Sequence, residues 1–159
     1  MATLAERLIA GFVEERGYVV GAVPEAQALV GACDVVLTHS DGMTFSMVCV
    51  VDAEARPAKR FTLEREAAKR ILAECCARYS GTMGGAKQPT TLVVVEVRQS
   101  ALPEVLTRLR AYSNRTFDRN AIHGFVVDGA TRQVVTATRF SWLAGWGWRR
   151  FLVRKVREV

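Results

Sequence analysis

The chain has 159 residues, half of them hydrophobic and 24% charged, which fits one folded globular domain and excludes a disordered or low-complexity chain. Its net charge of +6 is uneven: six cations against Glu158 fall in residues 139–159, so the body is almost neutral. Overall basicity therefore does not argue for nucleic-acid binding, and no apolar run approaches the roughly 18 residues that span a bilayer.

In chain order, Glu6, Arg7, Glu14 and Glu15 interrupt the start where a signal peptide needs an apolar stretch, so a cytoplasmic protein is expected. Thr3 and Glu6 have the spacing of a capping box, and Leu4, Leu8, Ile9, Phe12 and Val13 form an apolar stripe that Gly17 ends. "YVVGAV" reads as a short strand, and Pro24 opens a loop with a helical turn through Val30. "CDVVLTH" and "TFSMVCVV" flank Ser40-Asp41-Gly42-Met43, a hairpin signal. Thr62 precedes a predicted helix over 63–79, with Ala67, Ala68, Ile71, Leu72, Cys75, Cys76 and Tyr79 on its inner side. "TLVVVEV" is apolar on both alternations, as an interior strand covered on two faces must be. Ser100 is expected to open a helix aligning Leu102, Val105, Leu106, Leu109 and Tyr112, and "IHGFVV" and "QVVTAT" form a second hairpin near Asp128-Gly129. The expected fold is α/β: a mixed central sheet with two β-hairpins and helices on both faces over residues 1–140, followed by a basic aromatic segment at 141–159.

The succession helix, three strands, helix, strand over roughly residues 3–98, with Asp34 at the start of the second strand, resembles the core of the restriction-endonuclease-like, PD-(D/E)xK superfamily. The resemblance implies an acidic residue there and a (D/E)-x-K triplet on the third strand, together holding Mg²⁺ for phosphodiester cleavage. Asp34 matches the first position. The third strand departs: Val48-Cys49-Val50 stands where the triplet belongs, and a shifted register offers Asp52-Ala53-Glu54 with Lys69 as a substitute cation. The plain reading of Asp34 is a strand-entry carboxylate accepting backbone N–H groups.

"SGTMGGAKQP" fails as a phosphate loop, because Ala86 and Gln88 break the pattern and the segment runs from helix to strand. It reads as a flexible surface loop. Arg108, Arg110, Arg115 and Arg119, interleaved with Tyr112 and Phe117, form a solvated surface or a candidate nucleic-acid site. Glu96, inside an apolar strand, reads either as a carboxylate near the strand end paired with a cation or as a buried functional carboxylate. Cys33, Cys49, Cys75 and Cys76 lack zinc-ligand spacing with His39 and His123, so the thiols read as buried and reduced, and neither metal nor cofactor is expected.

Trp142, Trp146 and Trp148, with Arg149, Arg150, Arg154, Lys155 and Arg157, are the candidate partner-binding residues. From Trp148 onward a helix places Trp148, Leu152, Val156 and Val159 on one side, with Phe151 beside them and Arg150, Arg154 and Arg157 on another. Three roles compete for it: packing on the domain's own sheet, an anionic membrane surface, or an acidic protein or nucleic acid. The expectation is a non-catalytic cytoplasmic binding or regulatory domain, suited to a larger membrane-associated protein. The alternative is a divergent endonuclease-like nucleic-acid-binding protein.

Overall fold

The valine-rich segment from residue 90 to 98 decides the architecture, because all but one of its nine residues are buried and both alternations need a cover. In the computed structural model, which describes residues 1–112, 120–137 and 146–158, it is the strand β6 (Thr90–Arg98) inside a six-stranded mixed sheet. The other sheet members are β1 (Val19–Val20), β2 (Val35–Ser40), β3 (Phe45–Asp52), β7 (Ala121–Asp128) and β8 (Gln133–Thr136), in the spatial order β1-β2-β3-β6-β7-β8. β3, β6 and β7 run parallel, while β1–β2, β2–β3 and β7–β8 are antiparallel. The two-residue β1 and four-residue β8 form the edges.

Helices cover both faces. A helical turn (Pro24–Leu29), α2 (Arg65–Tyr79) and α3 (Pro103–Arg110) lie on the face that carries Met47, Cys49, Leu92, Val94, Ile122 and Val126. On the opposite face α1 (Leu4–Arg16) and the C-terminal helix α4 (Trp146–Arg157) cover Val48, Val50, Val93, Val95, Phe125 and Val127. The period-2 alternation of β3, β6 and β7 thus feeds two apolar layers at once.

At the start of α1, Thr3 Oγ1 accepts the Glu6 N–H at 3.1 Å and Glu6 Oε2 accepts the Thr3 N–H at 2.7 Å, completing the capping box. Gly17, at φ 71°, ends the helix, and Tyr18 N–H closes onto Phe12 O at 3.1 Å. Both hairpins form, with Ser40 opposite Phe45 and Asp128 opposite Gln133.

Several boundaries differ from expectation. The strand near residue 18 is only Val19–Val20. α2 starts at Arg65 rather than at residue 63, because tertiary bonds hold the preceding backbone extended: Thr62 N–H donates to Ala32 O at 3.1 Å, and Tyr112 Oη donates to Leu63 O. α3 starts at Pro103 rather than Ser100, with proline suiting a first helical turn. Ala101 N–H is held by Asp128 Oδ2 at 3.1 Å, and Leu102 is exposed instead of aligned with the apolar stripe. The expected flexible loop at 80–89 contains a two-stranded ribbon, β4 (Thr82–Met83) and β5 (Ala86–Lys87), turned by Gly84 and Gly85, both at positive φ.

Candidate functional site

Asp34 enters β2 beside the end of β3, where Val35 pairs with Val50. Its N–H donates to Val50 O at 3.0 Å, its Oδ2 accepts the Asp52 N–H at 2.8 Å, and its Oδ1 is ion-paired with Lys59. Both carboxylate oxygens are therefore engaged, and the cation comes from the 53–64 loop rather than from α2. Lys69 is half-buried and makes no ion pair among the described residues. Val48 and Val50 point into the α1/α4 layer and Cys49 into the opposite one, all fully buried, so none accompanies the Asp34 carboxylate. Asp34 lines a cavity of about 320 Å³ with Cys33, Val51, Lys59, Arg60 and Thr62, whereas Asp52 and Glu54 line a different one with Arg7 and Arg132. Among the described residues, no three of His, Cys, Asp and Glu stand where they could share a metal ion.

Glu96 is fully buried on β6. The alternation that puts Arg98 on the same face lets its Nε and Nη2 donate to Glu96 Oε1 at 3.0 and 2.8 Å. Arg108 Nη2 reaches Oε1 and Oε2 at 2.6 and 2.8 Å, and Phe61 N–H donates to Oε2 at 2.9 Å. Arg98 goes on to Pro57 O at 2.8 Å and Lys59 O at 2.6 Å. The cluster clamps the 53–64 loop onto the sheet, and that loop carries Lys59 to Asp34. Arg108 therefore belongs to a buried ion cluster rather than to a solvated basic surface. Arg110 is exposed, and Arg115 and Arg119 lie outside the described residues. The i, i+2 spacing of Glu96 and Arg98 was the available signal for the pair; Arg108 needed the docking of α3.

All four cysteines are free. Cys75 and Cys76 are buried, and burial pushes the Cys75 thiol up to about 12. Cys33 is half-exposed rather than buried; its hydrogen bond, together with burial, holds the Cys49 thiol well above the usual range. His39 packs its ring 5.2 Å from Tyr18. His123 is buried, its Nδ1 has no partner among the described residues, and burial lowers its pKa to about 4.

The C-terminal helix is part of the layered body rather than a detached tail. Phe151, Leu152 and Val156 are buried, and the Phe151 ring centroid stands 4.7 Å from that of Phe12. Trp148 turns partly inward, 6.4 Å from Phe12 and 6.1 Å from Tyr18, so it is a packing residue and not an outward one. Arg154 pairs with Glu15 at 2.5 Å and with Glu158 at 3.0 Å, and Lys155 pairs with the same two carboxylates. Lys155 also crosses α1 where Gly11 leaves room: a Cβ there would meet Lys155 Cε at 3.0 Å. Both cations are thus occupied within the fold.

What remains outward is Trp146, Arg149, Arg150 and Arg157, all exposed and at helical spacing on one arc of α4. Arg150 lies over the Trp146 ring at 5.1 Å. No carboxylate lies within salt-bridge distance of these three arginines among the described residues. Arg149 and Arg157 also meet Arg132, Gln133, Val134 and Val153 around a cleft of about 260 Å³ beside the β7–β8 hairpin. Trp142 lies outside the described residues.

Comparisons with protein-family models, with curated proteins and with solved structures return no match.

Proposed function

We propose that this is a non-catalytic binding domain whose C-terminal helix holds it on an anionic surface, the headgroup layer of a membrane. One observation carries the reading: α4 uses its apolar side for the core and keeps an exposed tryptophan among three arginines with no acidic partner among the described residues. Tryptophan and arginine both favour the headgroup zone. Each surface arginine is worth about 1 kcal/mol against an anionic leaflet, so Arg149, Arg150 and Arg157 support a modest, reversible association. It should weaken with salt, since exposed charges are screened over about 10 Å at 0.1 M ionic strength. The helix does not sink its apolar face into lipid, because Phe151, Leu152 and Val156 on that face are already buried, with Phe151 against Phe12 of α1.

The order of elements keeps a divergent nuclease-like nucleic-acid binder as the second reading. What speaks against it is the local chemistry, since Asp34 is engaged by Lys59 and the Asp52 N–H.

Vesicle sedimentation tests the first reading. The full chain should pellet with phosphatidylcholine vesicles containing phosphatidylserine at low salt and stay in solution with phosphatidylcholine alone. Arg149→Glu with Arg150→Glu should abolish pelleting while leaving the fold intact. Pelleting indifferent to salt and to that double change would refute the surface reading. A Mg²⁺-dependent cleavage of DNA or RNA lost in Asp34→Ala would replace it with the second.

A further inference from the structure

We infer that the cleft between α4 and the β7–β8 hairpin is a binding site for a phosphate monoester group, held by Arg132, Arg149 and Arg157. The inference rests on the anionic-surface reading and names the chemical group which that reading leaves open.

Three features converge there. The first is charge. Three guanidinium-bearing residues line one cleft of about 260 Å³ with no carboxylate among the described residues of its lining. Glu158, next to Arg157 in the chain, is engaged by Arg154 and Lys155. Asp52 and Glu54 line a second cleft to which Arg132 also contributes, and neither is within salt-bridge distance of it. Like charges that line one cleft repel one another, and a bound anion would relieve that repulsion.

The second is geometry. Arg149 and Arg157 stand eight residues apart on one helix, about 12 Å along its axis, with Val153 between them on the cleft wall. Each side chain has to lean about half that distance to meet over Val153, while Arg132 approaches from the hairpin. Asp128 fixes the hairpin by accepting the Ala130 and Thr131 N–H groups at 3.0 and 2.9 Å, so the position of Arg132 is set by a pinned turn.

The third is strain. Arg132 has φ 58° and is the only non-glycine residue at positive φ among the described residues. Glycine or asparagine fits that backbone better. The side chain is exposed, so packing does not explain the choice. An exposed guanidinium on an unfavourable backbone at a cleft is consistent with a role outside packing.

A phosphate monoester fits this set better than a diester. It brings three terminal oxygens and close to two negative charges at neutral pH, against two free oxygens and one charge. Three planar guanidinium forks match the three oxygens. The group has two sources, a lipid headgroup that ends in phosphate or a small soluble phosphomonoester, and the experiment separates them.

The full chain is compared with Arg132→Gly and Arg150→Gln. Thermal melting is followed in inorganic phosphate and in glycerol 3-phosphate against chloride at equal ionic strength. Sedimentation uses phosphatidylcholine vesicles in which one lipid in five is either phosphatidic acid, a monoester, or phosphatidylserine, a diester. The unaltered chain should melt higher in both phosphates and prefer phosphatidic acid vesicles by about tenfold or more, equivalent to about 1.4 kcal/mol. Arg132→Gly, relieved of strain, should melt higher than the unaltered chain in chloride, yet lose the phosphate response and the preference. Arg150→Gln, outside the cleft, should weaken binding to both vesicles and keep the preference. Equal binding of the two vesicles with no phosphate response overturns the cleft and leaves the surface reading standing. A phosphate response lost in Arg132→Gly, with no binding to either vesicle, supports the cleft, identifies a soluble ligand and overturns the surface reading. A preference that survives Arg132→Gly overturns the assignment of Arg132.

Discussion

Glu96 has no solvent contact and two arginines for company. Removing its charge leaves Arg98, 8% exposed, and Arg108, 25% exposed, facing each other without a counterion. Glu96→Gln should therefore destabilise the fold by about 3–5 kcal/mol, read as a lower urea midpoint at unchanged slope. His123 makes a second prediction. Burial holds its pKa at about 4, against an ordinary 6.5, so the unfolded chain takes up a proton that the folded chain refuses. This contribution is complete above pH 6.5 and is lost as pH falls from there toward 4, reaching about 2 kcal/mol by pH 5. His123→Leu should flatten the fall in melting temperature between pH 7.5 and 5; an unchanged slope would mean that another group sets it. At this scale the sequence was legible where one residue contradicts its neighbours, as Glu96 does among valines. It was not legible where the partner is distant in the chain: Lys59 is 25 residues from Asp34, and only the folded loop joins them.

Among the elements, α4 separates two kinds of residue that composition lumps together. Leu152→Ala opens a void under a fully buried side chain and should cost about 2–5 kcal/mol. Arg157→Ala, exposed and without an ion pair among the described residues, should change stability by less than about 0.5 kcal/mol. Thermal melts of the two variants check this division, and a large loss in Arg157→Ala would tie that side chain to folding. Periodicity identified the helix and its inner face, including Leu152 and Val156. It did not reveal that Arg154 and Lys155 answer Glu15 on α1, because charge pairing across helices depends on how they cross. The late starts of α2 and α3 were illegible for the same reason: carbonyl and carboxylate partners elsewhere in the fold, Leu63 O against Tyr112 and Asp128 against Ala101, keep helix-compatible residues extended.

For the whole molecule, layering was the most legible property. Two apolar alternations in "TLVVVEV" require covers on both sides, and β6 lies between β3 and β7 with helices above and below. The two rims of the sheet follow a different logic. Its longest strands, of eight, nine and eight residues, are interior, while the rims are two residues on one side and four on the other. Among the described residues, the rim strands themselves give an approaching second copy only two and four residues to pair with, although Val19 and Val20 are exposed. Short rims are a poor template for stacking copies into fibrils, so such stacking is expected to begin from chains in which β3, β6 or β7 has come away from its neighbours.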